Sequence, residues 1–176
     1  MGLATVLTSE PRSVRVAMQS PLVLPKSAAA SAFRVDVVGM DRFDEVRHIN
    51  EALFHEARVI NRLDRADLLM LLAYEGDGDE RALAGFKVGY GESPAVFYSA
   101  KGGVLPPFRR RGLARLLLHR MEAEARRMGY RRFAYDTFPN KHAGMTVLGL
   151  AEGYRVAAAG YNAPYRDYRL RFEKAL

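Results

Sequence analysis

Four arginines and two small residues fall within seven positions, Arg109-Arg110-Arg111-Gly112-Leu113-Ala114-Arg115. Just before them Pro106 and Pro107 force a turn, and just after them Leu113, Leu116, Leu117, Met121, Ala125 and Met128 recur at helical spacing. A helix therefore opens near Gly112, and its first N–H groups, which find no acceptor inside the helix, lie among guanidinium groups. That is chemistry for an anion: the helix dipole adds about half a positive charge, and arginines clamp phosphate oxygens in pairs. Gly112, without a Cβ, lets the backbone come close to a bulky anion, and Ala114 keeps the first turn small. One phosphate would leave most of these donors unused. A pyrophosphate with a further phosphate on a ribose would use both amides and arginines, which points to a nucleotide-derived cofactor. A basic run at a helix start is often only a solvated face, so the flanking elements must decide.

Those flanks are specific. Ala95 to Leu105 is rich in Val, Phe and Tyr and reads as a strand leading into the turn. The helix ends at Gly129, Arg132 to Thr137 reads as the next strand, and a helical stretch runs from about Ala143 to Glu152. Tyr154 to Tyr161 and Asp167 to Phe172 close the chain as a hairpin. In this setting Arg109, Gly112 and Ala114 resemble the Gln/Arg-x-x-Gly-x-Gly/Ala signature of the Gcn5-related N-acetyltransferases, over about Arg34 to Leu176.

The resemblance implies an α/β fold: a mixed sheet of about six or seven strands flanked by helices, with two central parallel strands splayed beside a bulge. It implies acetyl-CoA as co-substrate, its pyrophosphate on the amides of Arg110, Arg111, Gly112, Leu113, Ala114 and Arg115, with Arg109 beside them. The pantetheine arm would lie along the splayed edge at Gly103, Val104 and Leu105, whose backbone would also polarise the thioester carbonyl. Gly102-Gly103 suits the bulge, and Asn140, on the opposite lip, is a candidate hydrogen-bond partner of the cofactor. Each has a plainer reading: a kink in the sheet for the glycines, a turn after Pro139 for the asparagine.

The catalytic groups of the resembling family are not matched. Where many members place a glutamate base, six residues before Val104, this chain has Tyr98, and by the strand's period of two Ala100 and Gly102 share its face without offering a titrating group. A neutral phenol is a poor base near pH 7, though it can orient a water or help protonate a thiolate. Wall packing is the alternative role for Tyr98. The tyrosine acid that members often carry on the following helix is replaced by Val147 or Gly149, and Tyr161, Tyr165 or Tyr168 is left to stand in for it.

Composition narrows the remaining choices. The chain has 176 residues, 49% of them hydrophobic and 27% charged, enough for one domain with a core of its own. It has no cysteine, so acyl transfer cannot pass through a thiolate of the protein, and Cys-based zinc sites are excluded. His55-Glu56 lacks the second histidine of a zinc helix, so no metal is expected. The net charge is +7, which admits nucleic acid, an anionic membrane or a polyanionic cofactor. The arginines cluster only at 109 to 111, which favours a local phosphate site over a nucleic-acid stripe. No apolar run approaches the ~18 to 20 residues of a membrane span, and the first residues lack a signal-peptide pattern, so a cytoplasmic location is expected.

Earlier in the chain, residues 1–32 read as an extended or mobile lead with one short strand at Val14 to Met18, and 33–176 as the single domain. Arg34 to Val38 alternates as a strand. Asp41 is placed to cap a helix whose face carries Val46, Ile49, Leu53, Ala57 and Ile60. Leu68 to Tyr74 and Ala82 to Tyr90 read as strands of a hairpin around Gly76-Asp77-Gly78-Asp79. Glu56 and Asp64 are read as solvated rather than as substrate-facing.

Together these readings describe an N-acetyltransferase that moves an acetyl or other short acyl group from acetyl-CoA to an amine by direct attack in a ternary complex. Approximation supplies much of the rate, so a weak acid and base are tolerable. The acceptor, a small-molecule amine or a protein N-terminus, lies beyond the sequence, and a homodimer is compatible with it. The competing reading is a non-catalytic acyl-CoA-binding or nucleic-acid-binding module of the same fold.

Overall fold

The residues from Leu69 to Tyr74 are all buried, because their side chains are covered alternately from two sides. Leu69, Leu71 and Ala73 join one apolar cluster, and Met70, Leu72 and Tyr74 join another. This strand is part of a computed structural model that describes residues 33–76 and 78–176. The expected lead and its strand at Val14 to Met18 lie outside the described residues.

The described elements follow in the order β1 (Phe33–Val38), α1 (Phe43–Phe54), β2 (Leu69–Glu75), β3 (Ala82–Ser93), β4 (Val96–Val104), α2 (Leu113–Arg127), β5 (Arg132–Thr137), α3 (Ala143–Ala151), β6 (Arg155–Asn162) and β7 (Asp167–Ala175). Seven strands form one sheet in the order β1-β2-β3-β4-β5-β7-β6. Every neighbouring pair is antiparallel except β4 and β5, which are parallel. The mixed sheet expected from the sequence is therefore present, and its single parallel pair is central.

Helix α2 packs through Leu113, Leu117, Leu118, Met121 and Ala125 onto Phe97, Phe133, Tyr135 and Phe172. On the other face α1 packs through Val46 and Ile49 onto Met70, Leu72, Phe86 and Val88. Each fully buried Phe or Leu contributes on the order of 1.5–3 kcal/mol, so these two layers hold the sheet from both sides.

Three expectations about the helices are corrected. First, α1 ends at Phe54, and His55 adopts a left-handed conformation with φ 57°, so Ala57 and Ile60 lie beyond the helix. The apolar spacing continued, but the Asn50 side chain bonds to the Glu56 carbonyl 2.5 Å away and folds the chain back. Second, Asp41 is not a cap; it lies inside a 3-10 turn, Met40–Arg42, and no side chain caps α1. Third, Leu118 is fully buried on α2 while Met128 is 42% exposed, because the helix stops at Arg127 and Gly129 turns the chain with φ 92°.

Among the described residues, no helix is long and apolar enough to cross a membrane.

Candidate active site

Strands β4 and β5 run side by side only from Val96 opposite Arg132 to Ser99 opposite Tyr135. β4 continues to Val104 and β5 to Thr137 without further pairing to each other, so a gap opens past Ser99. Its cause is local. On the β3 side Ser99 pairs with Gly89 and Lys101 with Val88, leaving Ala100 as an extra residue. The bulge is thus at Ala100 and not at Gly102-Gly103, which pair regularly with Lys87 and Phe86.

Moving the bulge reverses the strand's faces. Phe97 belongs to the α2-side cluster, so Tyr98 lies on the α1 side. Beyond Ala100 the parity shifts, and Lys101 and Gly103 share that side: Lys101 Nζ lies 4.8 Å over the Phe54 ring, and a Cβ on Gly103 would meet Leu53. The expectation that Tyr98's face held no titrating group is therefore corrected. Lys101 is there, bonded to Glu56 at 2.7 Å and to the Arg58 carbonyl at 3.2 Å. Glu56, read as merely solvated, is the partner of that lysine.

At the far end of β4 the turn Pro106–Phe108 leads to the arginine run. Arg110 takes a left-handed conformation with φ 59°, and Gly112, the residue before α2, takes φ 84°. These two reversals aim the chain so that the N–H groups of Arg110, Arg111, Gly112, Leu113, Ala114 and Arg115 have no acceptor among the described residues. The next one, Leu116 N–H, begins the helical series by donating to the Gly112 carbonyl at 3.1 Å. A side chain at Gly112 would meet no other atom within 4 Å, so the chain is open at that residue.

The guanidinium groups are less free than the sequence suggests. Arg109 donates to the Val104 carbonyl at 2.9 Å. Arg111 is bonded to Glu75 and lies 4.8 Å over the Phe33 ring. Arg115 donates to Glu152 at 2.5 Å, a carboxylate also touched by His119 at 2.5 Å and held below its usual range by those two bonds. Arg110 has no partner among the described residues.

The β4 backbone divides its groups between two edges. Leu105 N–H donates to the Ala84 carbonyl at 2.9 Å, toward β3, so the alternating Val104 groups face the gap. Of the two expected oxyanion donors, Leu105 is already engaged within the sheet. Asn140 is also engaged: its side-chain amide donates to Asp167 at 2.6 Å and its backbone N–H at 3.2 Å, fastening the β5 lip to the start of β7. Tyr165 stacks on Phe138 of the same lip at 4.5 Å, whereas Tyr161 and Tyr168 face each other on the exposed hairpin.

Tyr98 stands on the α1 side with Tyr90, Asp136 and Arg171 around it. Its ring lies 5.9 Å from Tyr90 and 5.6 Å from the Arg171 guanidinium. Burial first, and the charge of Asp136 second, raise the phenol well above its usual range, so it is a donor and not a base. Asp136 is the residue sequence reading missed. Among the described residues its Oδ1 is buried without a hydrogen bond, and the nearest cations are Arg171, 3.9 Å from Oδ1, and Arg169, 3.7 Å from Oδ2. It follows Tyr135, the last β5 residue paired with β4, and so stands where the gap begins.

A bulge that parts two parallel strands, with six open amides at the next helix, makes a cleft for a long ligand with an anionic end. The sequence profile of the acetyltransferase (GNAT) family matches residues 40–147. The chain belongs to the GNAT acetyltransferase family. The match ends inside α3, so the last hairpin lies beyond it. No curated protein matches the chain in sequence.

Solved structures agree on the fold. The ribosomal-protein-S18-alanine N-acetyltransferase of Escherichia coli is similar with a TM-score of 0.66 and 13% identity, over 81% of this chain and 93% of that one. The IAA acetyltransferase of Bacillus cereus gives 0.68 and 14%, over 82% and 99%. Arabidopsis thaliana NAA60 in complex with acetyl-CoA gives 0.65 and 13%, over 82% and 98%. At these identities the likeness carries the GNAT fold and not the substrate.

Proposed function

We propose that this chain transfers an acetyl group from acetyl-CoA to an amine by direct attack in a ternary complex. The observation that carries the reading is the run of six N–H groups, Arg110 to Arg115, without an acceptor among the described residues, which follows directly on the strand that parts from β5. Pyrophosphate oxygens satisfy such donors, and Arg110 adds a charge that has no partner among the described residues.

The residues present fit the cofactor. Arg110, Gly112, Ala114 and their neighbours hold the phosphates, while the edge of β4 at Gly102 and Val104 faces the pantetheine arm. The thioester supplies the activated acyl group. Arg109, by bonding the Val104 carbonyl, keeps the strand end and the amide row in fixed relation. Arg111 and Arg115 shape the loop through Glu75 and Glu152.

The acceptor enters on the α1 side, between Tyr98, Asp136 and Lys101. Asp136 Oδ1, which has no hydrogen bond among the described residues and lies 3.9 Å from the Arg171 guanidinium, accepts a proton of the incoming amine. Tyr98, kept neutral, donates from the wall of the cleft. Both α-amines of peptides and small amines fit this chemistry. The E. coli neighbour is named for an alanine of ribosomal protein S18, and Arabidopsis thaliana Naa50 was solved with the bisubstrate analogue CoA-Ac-MVNAL, so peptides come first in a screen.

The test is acetyl-CoA turnover against a panel of N-terminal peptides and small amines, with calorimetry of CoA binding alongside. Amine-dependent release of thiol supports the reading. CoA binding without transfer or thioester hydrolysis, for any amine, would leave a binding module.

A further inference from the structure

Glu152 is a carboxylate shared between two side chains of α2. Arg115 Nε donates to its Oε1 at 2.5 Å, and His119 Nε2 meets its Oε2 at 2.5 Å. Arg115 and His119 stand one helical turn apart, so both reach the same point at the end of α3, where Glu152 follows Ala151. The three side chains are unequally held: that of Glu152 is 14% exposed, whereas those of Arg115 and His119 are 55% and 48% exposed. The carboxylate is the fixed member, and the long exposed arginine is the one able to swing.

What it can swing to is the run of open amides. Arg115 ends that run with its own N–H, and side chains on a helix lean toward the N-terminus, so its guanidinium reaches over the same turn. Glu152 therefore competes with a phosphate for one guanidinium. Losing Arg115 would strand a mostly buried carboxylate, which is costly unless another cation takes its place. At Glu152 the replacement is already in contact. Arg111 has no equivalent exchange, because Glu75 has no second cation bonded to it among the described residues. The other charged groups near the pair are engaged: Glu122 of α2 with the Tyr154 hydroxyl at 2.5 Å and with Lys174 at 3.2 Å, and Arg120 with Glu124 at 2.9 Å. Tyr154, which follows α3 and feels the charge of Glu152, is kept a neutral phenol first of all by burial.

We infer that a cofactor phosphate takes Arg115 from Glu152 and that His119 is protonated to replace it, so that acetyl-CoA binds with uptake of a proton. The guanidinium keeps its charge and exchanges one anionic oxygen for another. The imidazole gains one proton from solvent, and Glu152 stays in an ion pair throughout. Histidine suits the part because it is the residue type that changes charge between pH 5 and 8. A proton held more tightly in the complex than in the free protein adds affinity at low pH, and that gain is lost as pH rises. The inference rests on the cofactor half of the acetyl-transfer reading.

Its test is calorimetry of acetyl-CoA binding to the full chain in buffers of different ionisation enthalpy, which counts the protons exchanged. At about pH 7.5 a phosphate monoester, with its second pKa of about 6, is already ionised, so net uptake comes from the protein. Wild type is expected to take up a fraction of a proton, and His119→Gln none. Glu152→Gln should tighten acetyl-CoA by about two- to fivefold, the worth of one exposed ion pair, and the gain should vanish in an Arg115→Ala background. A gain that dephospho-CoA shares assigns Arg115 to the pyrophosphate, and a gain that it lacks assigns Arg115 to the 3′-phosphate; either supports the exchange. Binding of acetyl-CoA by wild type without proton uptake, or tightening by Glu152→Gln that persists without Arg115, would overturn the inference alone. Absence of acetyl-CoA binding to wild type would take down the transfer reading and this one together.

Discussion

The carbonyl oxygen of Val104 accepts a hydrogen bond from Arg109 Nε at 2.9 Å, tying the last residue of the splayed strand to the first arginine of the signature. The residue read from sequence as a phosphate clamp is therefore also a brace. Arg111 and Arg115 have carboxylate partners, and among the described residues Arg110 has none.

Arg110 should therefore carry the specific charge contact with the cofactor. Arg110→Ala is expected to weaken acetyl-CoA by roughly ten- to a hundredfold, the worth of one charge-assisted hydrogen bond. Arg126→Ala, roughly 20 Å along the helix and beyond the ~8 Å screening length, should leave affinity unchanged. Calorimetry with acetyl-CoA and dephospho-CoA checks this and shows whether Arg110 holds the 3′-phosphate. Equal losses from both variants would mean attraction by general charge.

Gly112 separates strain from electrostatics. At φ 84° any side chain strains the backbone, but Asn and Asp, the residues that tolerate the left-handed region best, meet no other atom there and are strained about equally. Gly112→Asn and Gly112→Asp should therefore melt within about 1 kcal/mol of each other, while only the Asp variant sets a negative charge against the phosphates and loses CoA binding. Paired thermal melts and titrations decide it.

If the acceptor binds beside Tyr98 as proposed, Tyr98→Phe should lower kcat more than it raises KM for acetyl-CoA, the pattern of a phenol that acts on the reacting groups rather than the nucleotide. Asp136→Asn should lower kcat by about 10²- to 10⁴-fold if Oδ1 takes the amine proton. Steady-state kinetics with the best acceptor measures both. Unchanged kcat in both variants would move the acceptor away from this face.

A second carboxylate governs stability. Asp67 accepts hydrogen bonds from Tyr130 at 2.6 Å, from the Gly91 N–H at 3.1 Å and from Arg65 at 3.1 Å, joining the entry to β2, the end of β3 and the segment after α2. Burial alone would raise its pKa, but the bonds from Arg65 and Tyr130 prevail and hold it below the usual value. A depressed folded pKa means that this stability is present above the ordinary aspartate value of about 3.9 and is lost as pH falls through the folded one. Tyr130→Phe is expected to cost about 1–3 kcal/mol at pH 7 and less at pH 3. Urea midpoints at the two pH values test the sign.

Much of this protein could be read along the chain because the deciding features are local. Pro106 and Pro107 break the strand, Gly112 permits the left-handed turn, and the leucine spacing from Leu113 orients α2, all within about twenty consecutive residues. Ala100 shows what local reading misses. Nothing in its side chain marks a bulge; it arises because Gly89 and Val88 on β3 pair with residues two apart on β4, and that shift moves Lys101 onto Tyr98's face. Asp136, Asn140 and the partners of Arg109, Arg111 and Arg115 likewise depend on contacts between distant segments: Arg111 meets Glu75 across thirty-six residues, and Arg115 meets Glu152 across thirty-seven. Residue types and spacing determined that an arginine-rich helix start follows a strand. Only tertiary structure decided which of these arginines has no partner among the described residues and which face carries a carboxylate, because a side chain's charge is written in the sequence while its partner is set by sheet order and register.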